Sequence, residues 1–289
     1  MRPTISVICP VRNMEEKLQN LENWVKLCDS SFQIVLVSDS STDSTLSELK
    51  KIKSANPFSR IEIIEGLFGS PGCARNAGIA LAEGEWVVFW DSDDIGNPKI
   101  LTEALQKYDP TALDAIVFGY EIYSGTSRLK SWVLWPRTAK KCIEKITLNP
   151  GIWRFCFKLS SIRDLEFSNL SMAEDQLFIN DFMRKSSQIA FANDVTYRYF
   201  VNVENQLTSK KSALEDLRVA AHKLSIQMRV DASIQVFTVR IFGKILITQI
   251  KKCRFPLKIY AAMKLSLLFL RYPKDTVKLF FDIVLGRLD

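Results

Sequence analysis

Four short polar segments in the N-terminal third of the chain carry the residue types that do chemistry. They are Pro10-Val11-Arg12-Asn13, Ser38-Asp39-Ser40-Ser41-Thr42-Asp43, Arg75-Asn76 and Asp91-Ser92-Asp93-Asp94. Acids beside arginines in separate loops suit a nucleotide diphosphate held through a divalent cation. The carboxylates would hold a hard metal and the ribose or base, and the guanidinium and backbone N–H groups would meet phosphate. Asp91 and Asp93 alternate, so an extended backbone would send both carboxylates to one side. A bare D-x-D is commonly an Asp-rich turn that caps the next helix. This one ends the apolar run Trp86-Val87-Val88-Phe89-Trp90, where adjacent carboxylates are costly unless a cation or hydrogen-bond donors meet them.

Loops that are far apart in sequence converge only if strands and helices bring them together. Ile5 to Cys9, Phe32 to Val37, Ile61 to Glu65 and Trp86 to Trp90 read as strands, the second and fourth apolar enough for burial on both faces. Helical spacing follows in Glu15 to Cys28 and Cys73 to Leu81, and Ser41 or Thr42 is placed to cap a helix running through Lys50. Four β-loop-α units in about 95 residues predict a doubly wound, mostly parallel sheet, with the ligand beyond the carboxyl ends of the strands. Further on, Asp114 to Glu121 and Ile189 to Tyr199 read as strands, and Asp175 to Met183 as a helix. Ser124 to Lys141 reads as a basic loop or hairpin, and the chain after Lys211 as helical, broken at Pro256 and Pro273.

Taken together, the blocks Ser6 to Asn13, Val37 to Ser44, Gly72-Cys73-Ala74-Arg75-Asn76-Ala77-Gly78 and Asp91 to Asp94 resemble, in order and spacing, the family 2 glycosyltransferases of GT-A fold. The resemblance continues at Trp153 to Lys158, at Ala173-Glu174-Asp175-Gln176 and more weakly at Tyr197 to Thr208. It implies metal-dependent, inverting transfer of one hexose or N-acetylhexosamine from a nucleotide sugar, usually a UDP-sugar, to a glycan. A polyprenyl-linked intermediate of a bacterial O-antigen or capsule is the expected acceptor. By position in the motifs, Asp39 would contact uracil, Pro10 and Arg12 would line the nucleoside pocket, and Arg75 would lie near uracil or diphosphate. Asp91 and Ser92 would face the nucleotide sugar, Asp93 would ligate Mn²⁺ or Mg²⁺, and Asp175 would be the base. Glu174 and Trp153 are acceptor-side candidates, although Glu174-Asp175 also suits an acidic first helical turn and Trp153 also suits the core. The family's usual Asn-Asp-Gly-Ser is replaced around Asp39 by Ser38 and Ser40, so this turn is expected to manage without a positive φ. With no Gln-x-x-Arg-Trp segment and no long apolar span, a processive membrane-spanning synthase is not expected.

Composition fits an enzyme of this size. The 289 residues are 47% apolar and 25% charged, which excludes disordered and collagen-like classes. The six cysteines are scattered without a C-x-x-C pair, and the N-terminal apolar run is too short for a signal-peptide core, so a reducing cytoplasmic setting is expected. Net charge is +7, yet the segment from Arg240 to Asp289 alone carries +8. Arg240, Lys244 and Lys251 fall within about 40° of each other on a helical wheel. That stripe predicts a peripheral location on the inner face of the membrane, held by anionic lipid, or else a packed appendage with its lysines in water. The domain reading is 1–210 for the catalytic part, divided at 95 into nucleotide and acceptor halves, and 211–289 for a basic helical region. Two other readings remain. A sugar-phosphate nucleotidyltransferase would show glycines after the first strand, and a non-catalytic scaffold would lack the acids. Nucleic-acid binding would explain the tail but not the four blocks.

Overall fold

The computed structural model describes residues 4–109, 111–133, 139–186, 188–201, 212–230, 236–252 and 255–284. Residues 134–138, 202–208 and 285–289, which belong to segments read above, lie outside these. The chain forms two compact units, one of residues 1–136, 152–169 and 186–204, the other of 137–151, 170–185 and 205–289.

The first unit is α/β. Its strands are β1 (Ile5–Val11), β2 (Phe32–Asp39), β3 (Arg60–Gly66), β4 (Trp86–Phe89), β5 (Ile95–Gly96), β6 (Ala115–Ser124), β7 (Ser127–Trp132), β8 (Phe155–Lys158) and β9 (Ile189–Phe200). They form one sheet in the order β3-β2-β1-β4-β8-β6-β9-β5, with β7 paired to β6. The first four strands pair parallel, as their apolar runs predict. Beyond β4 the sheet is mixed: β8 is antiparallel to both β4 and β6, while β6 and β9 are parallel. All eight residues of β2 are buried, which is why its sequence does not alternate. Helices α1 (Gln19–Val25), α2 (Thr45–Ala55), α3 (Pro71–Leu81) and α4 (Pro98–Leu105) follow β1, β2, β3 and β5. α3 lies so close on β1 that a Cβ at Gly78 would stand 2.3 Å from the Ile8 side chain. The basic segment after Ser124 is a hairpin, β6–β7, turned at Gly125 with φ +57°.

The second unit is helical, with α5 (Ala139–Leu148), α7 (Glu174–Lys185), α8 (Ser212–Val230), α9 (Val236–Lys252), α10 (Phe255–Arg271) and α11 (Pro273–Val284); the short α6 (Leu159–Ile162) belongs to the first unit. The helical unit therefore reaches back before residue 211 to take α5 and α7, because both pack on α9. α9 also contacts α8, α10 and α11. This central position corrects the lipid-facing stripe on α9. Arg240 is 0% exposed and donates from Nε to Thr147 Oγ1 at 2.8 Å. Lys244 is half-buried, and its ammonium donates to the Leu148 carbonyl at 2.5 Å. The periodicity puts the two cations on one face, and that face is turned toward α5. His222 lies exposed on α8.

Candidate active site

The loop after β1 is locked to the loop after β2 by side chains that substitute for missing backbone partners. Asn13 sits at φ +50°, and its Oδ1 accepts from Thr42 N at 2.8 Å while its own N–H donates to Ser41 Oγ at 3.2 Å. Met14 N donates to Thr45 Oγ1 at 2.7 Å, and Glu15 accepts from Ser44 N at 2.9 Å. Ser44, rather than Ser41 or Thr42, precedes α2, and the Glu15 carboxylate at that helix N-terminus does what a capping hydroxyl would. Asp39 is buried at the end of β2. Its Oδ1 accepts from Phe68 N and Gly69 N at 2.7 and 3.0 Å, and its Oδ2 lies 3.4 Å from the exposed Arg12 guanidinium. Pro10, half-buried, pairs in register with Val37.

Ser40 overturns one expectation. It has φ +48°, so the turn keeps the left-handed backbone without its glycine. The cost of this conformation for an L-residue is offset locally, since Ser40 N and Oγ both donate to the Gly66 carbonyl, at 2.9 and 3.0 Å.

Arg75 is buried on α3 and donates to Asp91 Oδ1 at 2.8 Å, with its guanidinium 5.6 Å from the centre of the Phe167 ring. Asn76 fixes that segment by exchanging two hydrogen bonds with the backbone of Phe167, at 2.8 and 3.0 Å. Asp91 to Asp94 is a turn closed from Asp94 N to the Asp91 carbonyl at 3.3 Å, not the extended segment expected. The two acids still act on each other: burial first, then the charge of Asp91, pushes the Asp93 carboxyl up to about 6. Ser92 between them is buried. Asp94 is buried too, and burial, then Asp93 and Asp91, raises its carboxyl well above the usual range. It accepts from Tyr197 Oη and from Phe200 N, both at 2.7 Å, while Tyr197 Oη accepts from Asp91 N at 3.1 Å. One phenol from β9 thus ties both ends of the turn, and Asn20 Nδ2 holds the Asp93 carbonyl at 2.7 Å.

Trp153 belongs to the core. It is 6% exposed, stacked on Tyr197 and Tyr199 at 4.9 and 5.5 Å and edge-on to Tyr120 at 4.3 Å. It is packed among these rings, so it is not placed to receive a sugar. Trp132 is also buried, stacked 6.0 Å from Tyr120.

Glu174 and Asp175 open α7 in the helical unit. Glu174 is buried, and Asp175 Oδ1 accepts from Gln176 N at 2.7 Å. Ala173, just before them, is buried at φ +68°. α7 is held by a polar relay: Thr238 Oγ1 donates to Asn180 Oδ1 at 2.8 Å, Asn180 Nδ2 to Gln227 Oε1 at 3.0 Å, and Gln227 Nε2 to Asp181 Oδ1 at 2.8 Å. Ser171 N donates to Asp216 Oδ2 at 2.8 Å. Burial pulls the Lys244 ammonium down to about 8, and the charge of Asp175 works the other way.

Residues 6–164 match the profile of Glycosyl transferase family 2. The chain belongs to this family. Poly(ribitol-phosphate) β-N-acetylglucosaminyltransferase TarS of Staphylococcus aureus strain Mu50 is 29% identical over 238 residues, 77% of this chain and 40% of TarS. Glycosyltransferase GlyG of Streptococcus pneumoniae is 25% identical over 217 residues, 69% of this chain and 71% of GlyG. Among solved structures, S. aureus TarS 1–349 in complex with UDP-GlcNAc superposes with TM-score 0.71 at 23% identity, covering 96% of this chain and 84% of that one. A mannosyltransferase of Pyrobaculum calidifontis with GDP-Man and Mn²⁺ superposes at 0.55. The fold is GT-A, and the family separates this glycosyltransferase from the nucleotidyltransferases. The chain spans about 40% of the TarS length it matches.

The sequence reading missed the parts that hold the site. Asp94 stood in the D-S-D-D block, yet no signal marked it as the inward-facing member. Tyr197 lay in the weakest part of the resemblance, and Asn20 and Phe167 lay in no block at all. Among the described residues no three His, Cys, Asp or Glu side chains form a metal cage. Asp91 and Asp93 nevertheless fit a divalent cation, because their mutual repulsion is the interaction that a hard cation relieves.

Proposed function

We propose that this glycosyltransferase moves one sugar from a UDP-sugar to a hydroxyl of a cell-surface polymer, with inversion at the anomeric carbon. The observation that carries the reading is the meeting of Arg12 with Asp39 and of Arg75 with Asp91 beside Asp93, at the carboxyl ends of four parallel strands. Asp39 has Oδ1 engaged by two backbone donors, which leaves Oδ2, beside Arg12, for an N–H of the base. Arg75 spends its guanidinium on Asp91, so its part is to aim that carboxylate at the ribose rather than to bind phosphate directly. Asp93, with Asp91, would hold Mn²⁺ or Mg²⁺, which when bound supplies positive charge against the departing diphosphate.

The assignment of Asp175 as base rests on its place in the family motif. The acceptor oxygen forms a bond to the anomeric carbon, the carbon–oxygen bond to UDP breaks, and the hydroxyl proton passes to the Asp175 carboxylate. A poly(ribitol-phosphate) acceptor and UDP-GlcNAc are the first substrates to try, given the relatives named above. The test is incubation with UDP-GlcNAc, UDP-glucose and UDP-galactose against polyol-phosphate and polyprenyl-linked glycan acceptors, with the linkage read by NMR. A β-linked product from an α-linked donor is expected. An α-linked product would contradict inversion, and no transfer from any UDP-sugar would contradict the donor class.

A further inference from the structure

α10 carries two apolar faces, and the helical unit uses only one. Ala261 and Leu268 are buried, on the side that packs on α9. On the opposite side Ile259, Tyr260, Met263, Leu267 and Leu270 are all exposed, Met263 at 64% and Leu270 at 81%. At 3.6 residues per turn these five project within an arc of about 100°, roughly half a turn from Ala261 and Leu268. A helix that only covers a core shows a single apolar stripe, so the second has no role in the unit's own packing. α11 extends the patch with Val277 and Phe280, both exposed, the Phe280 ring 6.3 Å from that of Phe269.

Along α10 the charges around this face are all positive, while α11 adds Lys274 and Lys278 together with Asp275 and Asp282. α10 contains Lys258, Lys264 and Arg271 and no acid, and Lys274 follows at the start of α11. On the wheel Lys264 and Arg271 lie at one margin of the exposed stripe and Lys258 beyond the other. Lys264 and Arg271 lean on the rings of Tyr260 and Tyr272, at 5.6 and 5.5 Å, as long side chains do when an apolar stem is covered and the charge is kept outside. Among the described residues no helix is long and apolar enough to cross a bilayer.

We propose that the outer face of α10, continued by α11, lies on an anionic phospholipid surface. The helix rests in the interfacial plane with Met263, Leu267 and Leu270 in the acyl boundary and the lysines and arginines on lipid phosphates. Charge selects lipid over a second copy of the chain. A symmetric contact through α10 would set its cationic margins against cationic margins, whereas an anionic leaflet neutralises them. The contact differs from the stripe on α9 that the sequence marked, since Arg240 is inside.

The test is co-sedimentation of the whole chain with phosphatidylcholine vesicles, with and without phosphatidylglycerol, together with its oligomeric state by light scattering. The wild type should bind the anionic vesicles, bind neutral ones at least about tenfold more weakly, and lose affinity as salt is raised. Met263→Glu with Leu267→Glu should reduce anionic-vesicle binding by about tenfold or more. Phe58→Glu, an equally drastic change at a residue 97% exposed in the α/β unit, should leave it intact. Leu267→Ser and Lys264→Glu, each milder, carry the same expectation should the double variant fail to fold. Wild-type chain that ignores anionic vesicles at low salt, or outward-face variants that bind as wild type, would overturn the proposal. So would an oligomer that the double substitution splits while vesicle binding is absent throughout. None of these readouts depends on the donor sugar, so they stand apart from the transfer assay.

Discussion

The loops at the sheet's edge and the helices built around α9 treat charge in opposite ways. In the loops, charges gather where strands end, and three of the acids are met at short range: Asp39 by two backbone N–H groups, Asp91 by Arg75, Asp94 by Tyr197. In the helical unit, Arg240 and Lys244 are drawn in among helices, where a hydroxyl and a carbonyl of α5 accept from them and the charge of Asp175 acts on Lys244. Clustered charge at the mouth of a sheet marks a place where something charged is to be bound. A cation spaced along an amphipathic helix marks nothing until the helix has chosen its inner face. A net charge of +8 therefore locates an anionic partner only to the extent that the fold leaves the charge outside.

If the loops bind and α7 supplies the base, the largest effect belongs to Asp175→Asn. Turnover should fall by about 10²–10⁴-fold with donor affinity close to wild type, as steady-state and equilibrium measurements on the same variant would show. Wild-type turnover would return Glu174-Asp175 to the role of a favourable first helical turn. Next comes the contrast within α9. Arg240→Ala, at a fully buried position, should cost about 2–4 kcal/mol in denaturant unfolding, while Lys251→Ala, exposed on the same helix, should stay within about 0.5 kcal/mol. Equal effects would erase the distinction between the two kinds of charge.

Tyr197→Phe should be smaller, about 1–3 kcal/mol, because it takes the phenol away from both the buried Asp94 Oδ2 and the Asp91 N–H, while Phe200 N still donates to Asp94 Oδ1. It should also weaken donor binding, since the turn loses the bond joining its ends. Unchanged donor affinity would make Tyr197 a packing residue only. The smallest effect is a pH dependence. The Lys244 ammonium titrates near 8 in the fold and near its ordinary 10.5 when unfolded. Between those values the unfolded chain binds more protons, so stability should rise with pH across that window, with the full cost of burying the charge present below about 8. Lys244→Met should remove that rise in thermal unfolding; a wild-type slope in the variant would assign it elsewhere.

Much of the α/β unit was legible because its signals are local. Apolar runs that end in polar clusters give strands with loops at one edge, and the helix read from Cys73 is α3, which starts two residues earlier at Pro71 behind the capping Ser70. What escaped depends on distant residues. The bond between Tyr197 and Asp94 spans 103 residues and that between Asn76 and Phe167 spans 91, and nothing in either neighbourhood announces its partner. Ser40 shows a further limit. Glycine's absence indicated a changed turn, but two hydrogen bonds to Gly66 hold a serine in the same left-handed backbone. In the helical unit the periodicity of α9 was correct and its orientation was not, because α5 and α7, which cover it, come from earlier in the chain.

The central claim is that the loops after the first four strands bind a uridine diphosphate through Asp39 and a cation held at Asp93. Calorimetric titration of UDP into the wild type and into Asp93→Asn, each with and without Mn²⁺, tests it most directly. The account predicts that Mn²⁺ tightens UDP binding to the wild type by about tenfold or more, and that Asp93→Asn keeps its fold and the metal-free affinity but loses that gain. UDP that fails to bind with or without Mn²⁺, or a variant that keeps the full gain, would contradict it.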